Sequence, residues 1–282
     1  MDQILVATDL SERSDRAMDR AALLARRFGA KLTIVTVVDG GLPERVIEEQ
    51  TRSAEGILLE HFDALADGAA IERDLVVKVG RDWLEILGLA EATASGVIIL
   101  GLHRDRGLAD MFRGTTVERV VRQGNRPVLV VKNRASKPYR SVVVGVDFSV
   151  HSRKALETAI AVAPGAEVVL VHAFDVPFRG FVSGTSARRE IQDQHERQFR
   201  AEVEQEMRSL LAGGTGDRVR LKEILRQGDP HEVLAQAVKE ADADLLVLGT
   251  HGRTGVAHAV LGSVAESFLT DPPCDVLAVP AW

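Results

Sequence analysis

The chain contains itself twice. Ser141-Val142-Val143-Val144-Gly145-Val146-Asp147-Phe148-Ser149 repeats the pattern of Gln3-Ile4-Leu5-Val6-Ala7-Thr8-Asp9-Leu10-Ser11 at an offset of 138, the separation of Asp9 and Asp147. Gly249 and Gly262 answer Gly101 and Gly114 at an offset of 148, so the second copy is a net 10 residues longer between these landmarks. A repeat this long means duplicated domains, because solenoids repeat every ~20–50 residues. In a chain of 282 residues each copy is large enough to bury its own core.

Each copy alternates short apolar runs with segments of helical period. In the first, Ile4 to Thr8 reads as a strand, and Ser11 as the cap of a helix that carries Ala17, Ala21, Leu24, Ala25 and Phe28 on one face and stops at Gly29. Leu32 to Val38 is a second strand, followed from Pro43 by a helix burying Ile47, Ala54, Leu58, Phe62 and Leu65. A third strand spans Ile71 to Val79, and Asp82 caps a helix with Trp83, Ile86, Leu87 and Ala90 inward. Val97 to Gly101 and Pro127 to Val131 complete the set, with a helix from about Gly114 between them. Strands apolar on both faces and separated by helices describe a parallel sheet covered on both sides, and right-handed crossovers make it doubly wound.

Asn133 to Pro138 reads as a short linker. In the second copy the extra length falls after the strand Val168 to Ala173, where Phe174, Phe178 and Phe181 stand in a chain with only 4% aromatics. They either pack the insertion onto its domain or form a flap or contact surface. A helix follows with Ile191, His195, Phe199, Val203, Met207 and Leu210 on one side.

Chemistry concentrates where Asp244 to Leu248 runs into Gly249-Thr250-His251-Gly252-Arg253-Thr254-Gly255 and onward to Gly262-Ser263. A strand feeding a glycine turn and then a helix N-terminus presents backbone N–H groups to an anion. The spacing G-x2-G-x9-G-S is neither the P-loop, which needs a lysine after its second glycine, nor G-x-G-x-x-G. Ser263 adds a hydroxyl donor.

These residues, with Val146-Asp147-Phe148-Ser149 and the closing Val276-Leu277-Ala278-Val279, resemble the universal stress protein family in both halves, and its nucleotide-binding branch in the second. The resemblance implies two tandem doubly wound domains, 1–135 and 139–282, each a five-stranded parallel sheet of order 3-2-1-4-5 with helices on both faces. It implies ATP or a related adenine nucleotide, with or without magnesium, as ligand. Asp147 would contact adenine, Ala173 would offer its backbone, and Gly249, Gly252, Gly262 and Ser263 would hold ribose and phosphates. A carboxylate at the carboxyl edge of the first strand suits an adenine amino group, and that edge is where doubly wound sheets bind ligands; Asp147 also suits a helix cap, shared with Ser149.

The first copy keeps Asp9, Val37, Gly101, Gly114 and Thr115 as a weaker second site, but Arg104 replaces the middle glycine. A left-handed backbone there costs a non-glycine residue roughly 1–2 kcal/mol, and the side chain intrudes on the phosphate volume, although an arginine also donates well to phosphate. The family habit of pairing last strands implies an internal pseudo-dimer through Pro127–Val131 and Val276–Val279, and allows a homodimer of chains. The leading function is a nucleotide-responsive stress or regulatory protein. The alternatives are a slow ATPase or self-phosphorylating enzyme, and an interaction module without nucleotide.

No catalytic or metal-binding set emerges. His251 and His103 occupy matching places without an evident triad, and His251 and His258 are poorly spaced for a metal. His231 follows Asp229-Pro230, a cap and first helical residue. Glu202, Glu204 and Glu206 read as a solvated helix face, and the single cysteine, Cys274, as a buried thiol. A net charge of −6 without a basic patch points away from nucleic acid, no apolar run approaches the ~18 residues that span a bilayer, and the N-terminus lacks an export signal. The cytoplasm is the expected compartment, and the membrane is not an expected partner.

Overall fold

The computed structural model describes residues 1–12, 14–64, 71–102, 114–174, 190, 193–194, 197–201, 204–205, 220–251 and 261–280. The first half contains β1 (Gln3–Ala7), α1 (Ser14–Phe28), β2 (Lys31–Asp39), α2 (Glu44–Ala64), β3 (Arg73–Gly80), α3 (Asp82–Ala92), β4 (Val97–Gly101), α4 (Thr116–Gln123) and β5 (Val128–Val131). The second contains β6 (Ser141–Gly145), α5 (Val150–Val162), β7 (Glu167–Phe174), β8 (Arg220–Gln227), α6 (Pro230–Glu240), β9 (Leu245–Gly249), α7 (Ser263–Thr270) and β10 (Asp275–Val279).

The described strands join one sheet, ordered β3-β2-β1-β4-β5-β10-β9-β6-β7-β8. Each half has the expected order 3-2-1-4-5 in its own numbering, and its neighbouring strands are parallel. At the seam β5 and β10 pair antiparallel, with Leu277 opposite Leu129 and flanked by the pairs Val276–Val130 and Ala278–Val128. Each of these strands has its outer edge filled by its counterpart, which removes two exposed edges.

Strand residues alternate between two cores because successive side chains point to opposite faces. Ile4, Val6, Val142 and Val144 pack with Ala17, Ala21 and Ala155 on one face; Leu5, Ile98, Val143 and Leu246 pack with Ile86, Val120, Leu234 and Phe268 on the other. Leu129 and Leu277 belong to the first core, Val130 and Val276 to the second, so both cores run through the seam. The outermost strands carry the charges: Arg73, Asp74 and Lys78 on β3, and Arg220, Lys222, Glu223 and Arg226 on β8. Charged edges discourage further strand addition.

The expected linker is tied down at its ends by Asp275, fully buried at the start of β10. Its carboxylate accepts from the backbone N–H groups of Lys132 (2.9 Å) and Asn133 (3.1 Å) and from the Tyr139 hydroxyl (2.8 Å). Arg20 of α1 places Nε 3.4 Å from the same carboxylate, an ion pair without hydrogen-bond geometry, and stacks its guanidinium 3.9 Å from the Tyr139 ring centre. Arg20 also donates to the Lys137 carbonyl. Burial, and then the Asp275 charge, push the Tyr139 hydroxyl well above its usual pKa, so it remains a donor.

Three local expectations are corrected. The third strand starts at Arg73, and Ile71, though buried, precedes it. Asp82 is the first residue of α3 rather than its cap; Arg81 holds the cap position without a side-chain bond, while Asp82 accepts from Trp83 N–H and the Thr116 hydroxyl. At the start of α1 the Ser11 hydroxyl donates to Asp9, and the Ser11 carbonyl accepts from the Ser14 N–H. Phe174 ends β7 in a buried position instead of opening a loop. Gly29 does end α1, at φ +61°, where a side chain is disfavoured. Phe62 as a packing residue, Leu65, Phe178, Phe181, Ile191, His195, Val203, Met207 and Leu210 lie outside the described residues, whereas Phe199 is buried.

Candidate functional site

In a 3-2-1-4-5 sheet the crossovers leave in opposite directions from the first strand, opening a crevice at the carboxyl ends of β6 and β9. Asp147 follows β6, Ala173 lies near the end of β7, Gly249 ends β9, and Gly262 and Ser263 open α7. All five line one cavity of about 230 Å³, together with apolar residues such as Val171, Leu234 and Leu248. Gly252, Arg253 and His258 lie outside the described residues.

The turn after β6 aims Asp147. Phe148 has φ +63°, a left-handed conformation that costs a non-glycine residue about 1–3 kcal/mol. The Ser149 N–H (3.0 Å) and hydroxyl (2.6 Å) both donate to Asp147 Oδ1, and Ser149 caps α5 by accepting from the Ser152 N–H at 3.2 Å. Cap and carboxylate orientation are thus one device. Buried His172 braces the turn: its Nδ1 lies 2.7 Å from the Val146 carbonyl, and its ring packs 4.5 Å from Phe148 and 5.8 Å from Phe199. The first half repeats the strain at Leu10 (φ +61°) and the same two bonds from Ser11 to Asp9. Pattern reading missed both His172 and the strain; the matching D-F-S and D-L-S triplets were the available signal.

Gly249 is required for space. A Cβ there would lie 2.8 Å from His151 Cβ and 3.0 Å from the His151 carbonyl carbon, because the end of β9 presses against the first turn of α5. His151 also faces the cavity-lining His251 at 5.2 Å between ring centres, and His251 Nδ1 lies 2.9 Å from the Thr250 hydroxyl.

The two helix N-termini differ. In the second half, Gly262 caps α7 with no side-chain bond; its own N–H donates to the Thr250 carbonyl at 2.8 Å, and the next residues, Ser263, Val264 and Ala265, line the cavity. In the first half, Thr115 caps α4 by accepting from the Glu118 N–H at 3.1 Å, and the Glu118 carboxylate accepts from the Gly114 N–H. This first cavity, of about 370 Å³, gathers Asp9, Val37, Gly101, Gly114 and Thr115 as expected, but also Asp82. Its counterpart at an offset of 148 is Pro230. The first site is the larger cavity, but the Glu118 carboxylate at its Gly114 N–H repels an incoming anion, whereas the matching Gly262 N–H is met by the neutral Thr250 carbonyl. The sequence contrast between Arg104 and Gly252 concerns residues outside those described; the contrast in capping is independent of it.

The universal stress protein family model matches residues 1–132 and again 138–280. The chain belongs to the universal stress protein family. A universal stress protein of Thermus aquaticus is 29% identical over 143 residues, covering 50% of this chain and 98% of that protein. The universal stress protein E homolog of Haemophilus influenzae is 42% identical over 55 residues, only 18% of its own length. The crystal structure of a universal stress protein from Archaeoglobus fulgidus superposes over 99% of this chain and 98% of its own, with a TM-score of 0.72 at 20% identity, which supports the tandem fold.

Other singled-out residues of this universal stress protein are structural. Asp229 caps α6 by accepting from the His231 and Glu232 N–H groups, Pro230 follows at the first helical position, and the His231 ring stacks 4.5 Å from Phe268. Among the described residues no group of three or more His, Cys, Asp or Glu is placed to hold a metal ion, and no helix is long and apolar enough to cross a membrane. Glu204 is exposed. Cys274 is buried, and burial, with the adjacent Asp275 charge, pushes its thiol pKa up to about 12. At pH 8 the native thiol is therefore expected to resist an aromatic disulfide reagent that reacts at once with urea-unfolded chain. Because the unfolded thiol ionises near ~8.5 and the native one does not, this group's contribution to stability falls as pH rises from there towards 12. Rapid stoichiometric labelling of folded protein would contradict this.

Proposed function

We propose that this tandem universal stress protein binds ATP or a related adenine nucleotide in its second half, with domains at 1–135 and 139–282, and uses occupancy to alter its assembly or partner contacts. The observation that carries the reading is the N-terminus of α7, where a glycine, Gly262, holds the cap position, opening into a cavity that also receives Asp147 and Ala173. Asp147 would accept from the adenine amino group, and the Ala173 backbone would pair with the ring. Gly249, Gly252 and Gly262 would let the chain approach ribose and phosphates, with the Ser263 hydroxyl as a further donor. Magnesium would enter with the phosphates. The seam pairing of β5 with β10 would serve as an internal pseudo-dimer interface, leaving two chains free to assemble further.

Calorimetric titration of the full chain with ATP tests this. One strong site per chain is expected, with any second site at least tenfold weaker, since a helix terminus contributes up to about 2 kcal/mol to a charged partner in partly buried geometry. Two equivalent sites would refute the distinction between the halves, and the absence of binding would refute the nucleotide reading. Sustained release of phosphate with magnesium would favour an enzyme instead.

A further inference from the structure

Arg122 lies in the last turn of α4, with its side chain between two carboxylates from different halves. Its Nε donates to Glu118 Oε1 at 2.7 Å, and its Nη2 donates to Glu266 Oε2 at 3.3 Å. The other Glu118 oxygen accepts from Gly114 N–H at the lip of the first cavity. Glu266 stands in the first turn of α7, directly after Ala265 at the second cavity. One guanidinium therefore bridges Glu118, in the first turn of α4, and Glu266, in the first turn of α7, across the seam.

The side chains of Arg122, Glu118 and Glu266 are 19%, 11% and 26% exposed, so solvent and salt screen these charges only in part. The arrangement is not reciprocated: the counterpart of Arg122 at an offset of 148 is Thr270. Glu266 on its own would share the field of the α7 N-terminus with any incoming phosphate and repel it. Arg122 offsets that charge from across the seam.

We propose that Arg122 is a positioning residue for the second-half site: the first half supplies the charge that holds Glu266 and leaves the α7 N-terminus receptive to phosphate. This rests on the reading that phosphates lie at that terminus. It makes the binding site of one half dependent on the other.

The test uses the full chain with Arg122→Ala, Arg122→Lys, Glu266→Gln and the double variant Arg122→Ala/Glu266→Gln, titrated with ATP and with adenosine. Arg122→Ala is expected to weaken ATP binding about tenfold, the equivalent of ~1.4 kcal/mol at the site, while adenosine binding changes less than about twofold. Arg122→Lys keeps the charge and should retain ATP affinity within about threefold; the double variant should recover to a similar level because the repelling charge is gone. Equal ATP affinity in wild type and Arg122→Ala overturns the proposal, as does equal loss of ATP and adenosine, or failure of Glu266→Gln to restore ATP binding. If Arg122→Ala does not fold, Arg122→Lys and the double variant still decide. Wild-type protein that binds neither ligand overturns the nucleotide reading itself, a result distinct from an unaffected variant.

Discussion

Asp275→Ala is expected to destabilise the chain by about 3–5 kcal/mol, the cost of removing one partner from a buried ion pair. Asp275 is fully buried and serves two backbone N–H groups, a phenol and a guanidinium at once. Its loss leaves Arg20, itself only 5% exposed, with an uncompensated charge between the halves. It also removes the acceptor that fixes the chain at Lys132 and Asn133, where β5 leaves the sheet. Asp275→Asn keeps the shape and one acceptor oxygen but not the charge, and should lose at least half as much. Urea unfolding followed by far-ultraviolet circular dichroism measures both; a loss below ~1 kcal/mol would show that water reaches Arg20 and the pair is not a buried one.

Gly249→Ala is expected to cost about 1–3 kcal/mol of stability, the usual range for overpacking, and to lower ATP affinity by at least tenfold. The added methyl meets His151 at 2.8 Å, and the next contacts are backbone atoms, which cannot rotate aside. Relief requires moving the first turn of α5, and that turn begins at Ser149, which holds the Asp147 carboxylate. Base and phosphate ends of the proposed site are therefore disturbed together. Gly165→Ala is a useful contrast: nothing lies within 4 Å of its Cβ, and its φ of +83° predicts backbone strain alone, far from the cavity. Thermal unfolding with nucleotide titration separates the two effects. Normal ATP affinity in Gly249→Ala would show that β9 and α5 do not have to touch for binding.

Much of the architecture was legible in the residue pattern. Runs such as Val97 to Leu100 and Leu245 to Leu248 could only be strands buried on both faces, and their spacing required crossover helices. Asp147, Ala173, Gly249, Gly262 and Ser263 lie up to 116 residues apart in sequence, the separation of Asp147 and Ser263, yet the strand order brings all five to one crevice. Less legible was what each polar side chain would choose. Asp82 reads as a cap from its own neighbours, but Thr116, brought alongside by packing, takes its carboxylate. Glu118 and Glu266 occupy equivalent positions in the two copies, and Arg122 donates to both, while Glu118 also accepts from the Gly114 N–H at its own helix terminus.

The sequence by itself determined the duplication, the doubly wound pattern of each half and the strand ends at which a ligand site would form. These follow from hydrophobic period and turn chemistry, which act over a few residues and leave the same trace in both copies. The tertiary structure decided how the copies meet and how their polar groups are paired. Joining β5 to β10 sets Arg122 against Glu266, 144 residues away in the chain, and Arg20 against Asp275. Charge pairing over such separations depends on where packing leaves each group, so two nearly equivalent halves come to differ at these helix termini, with Thr115 capping α4 and Gly262 in the cap position of α7.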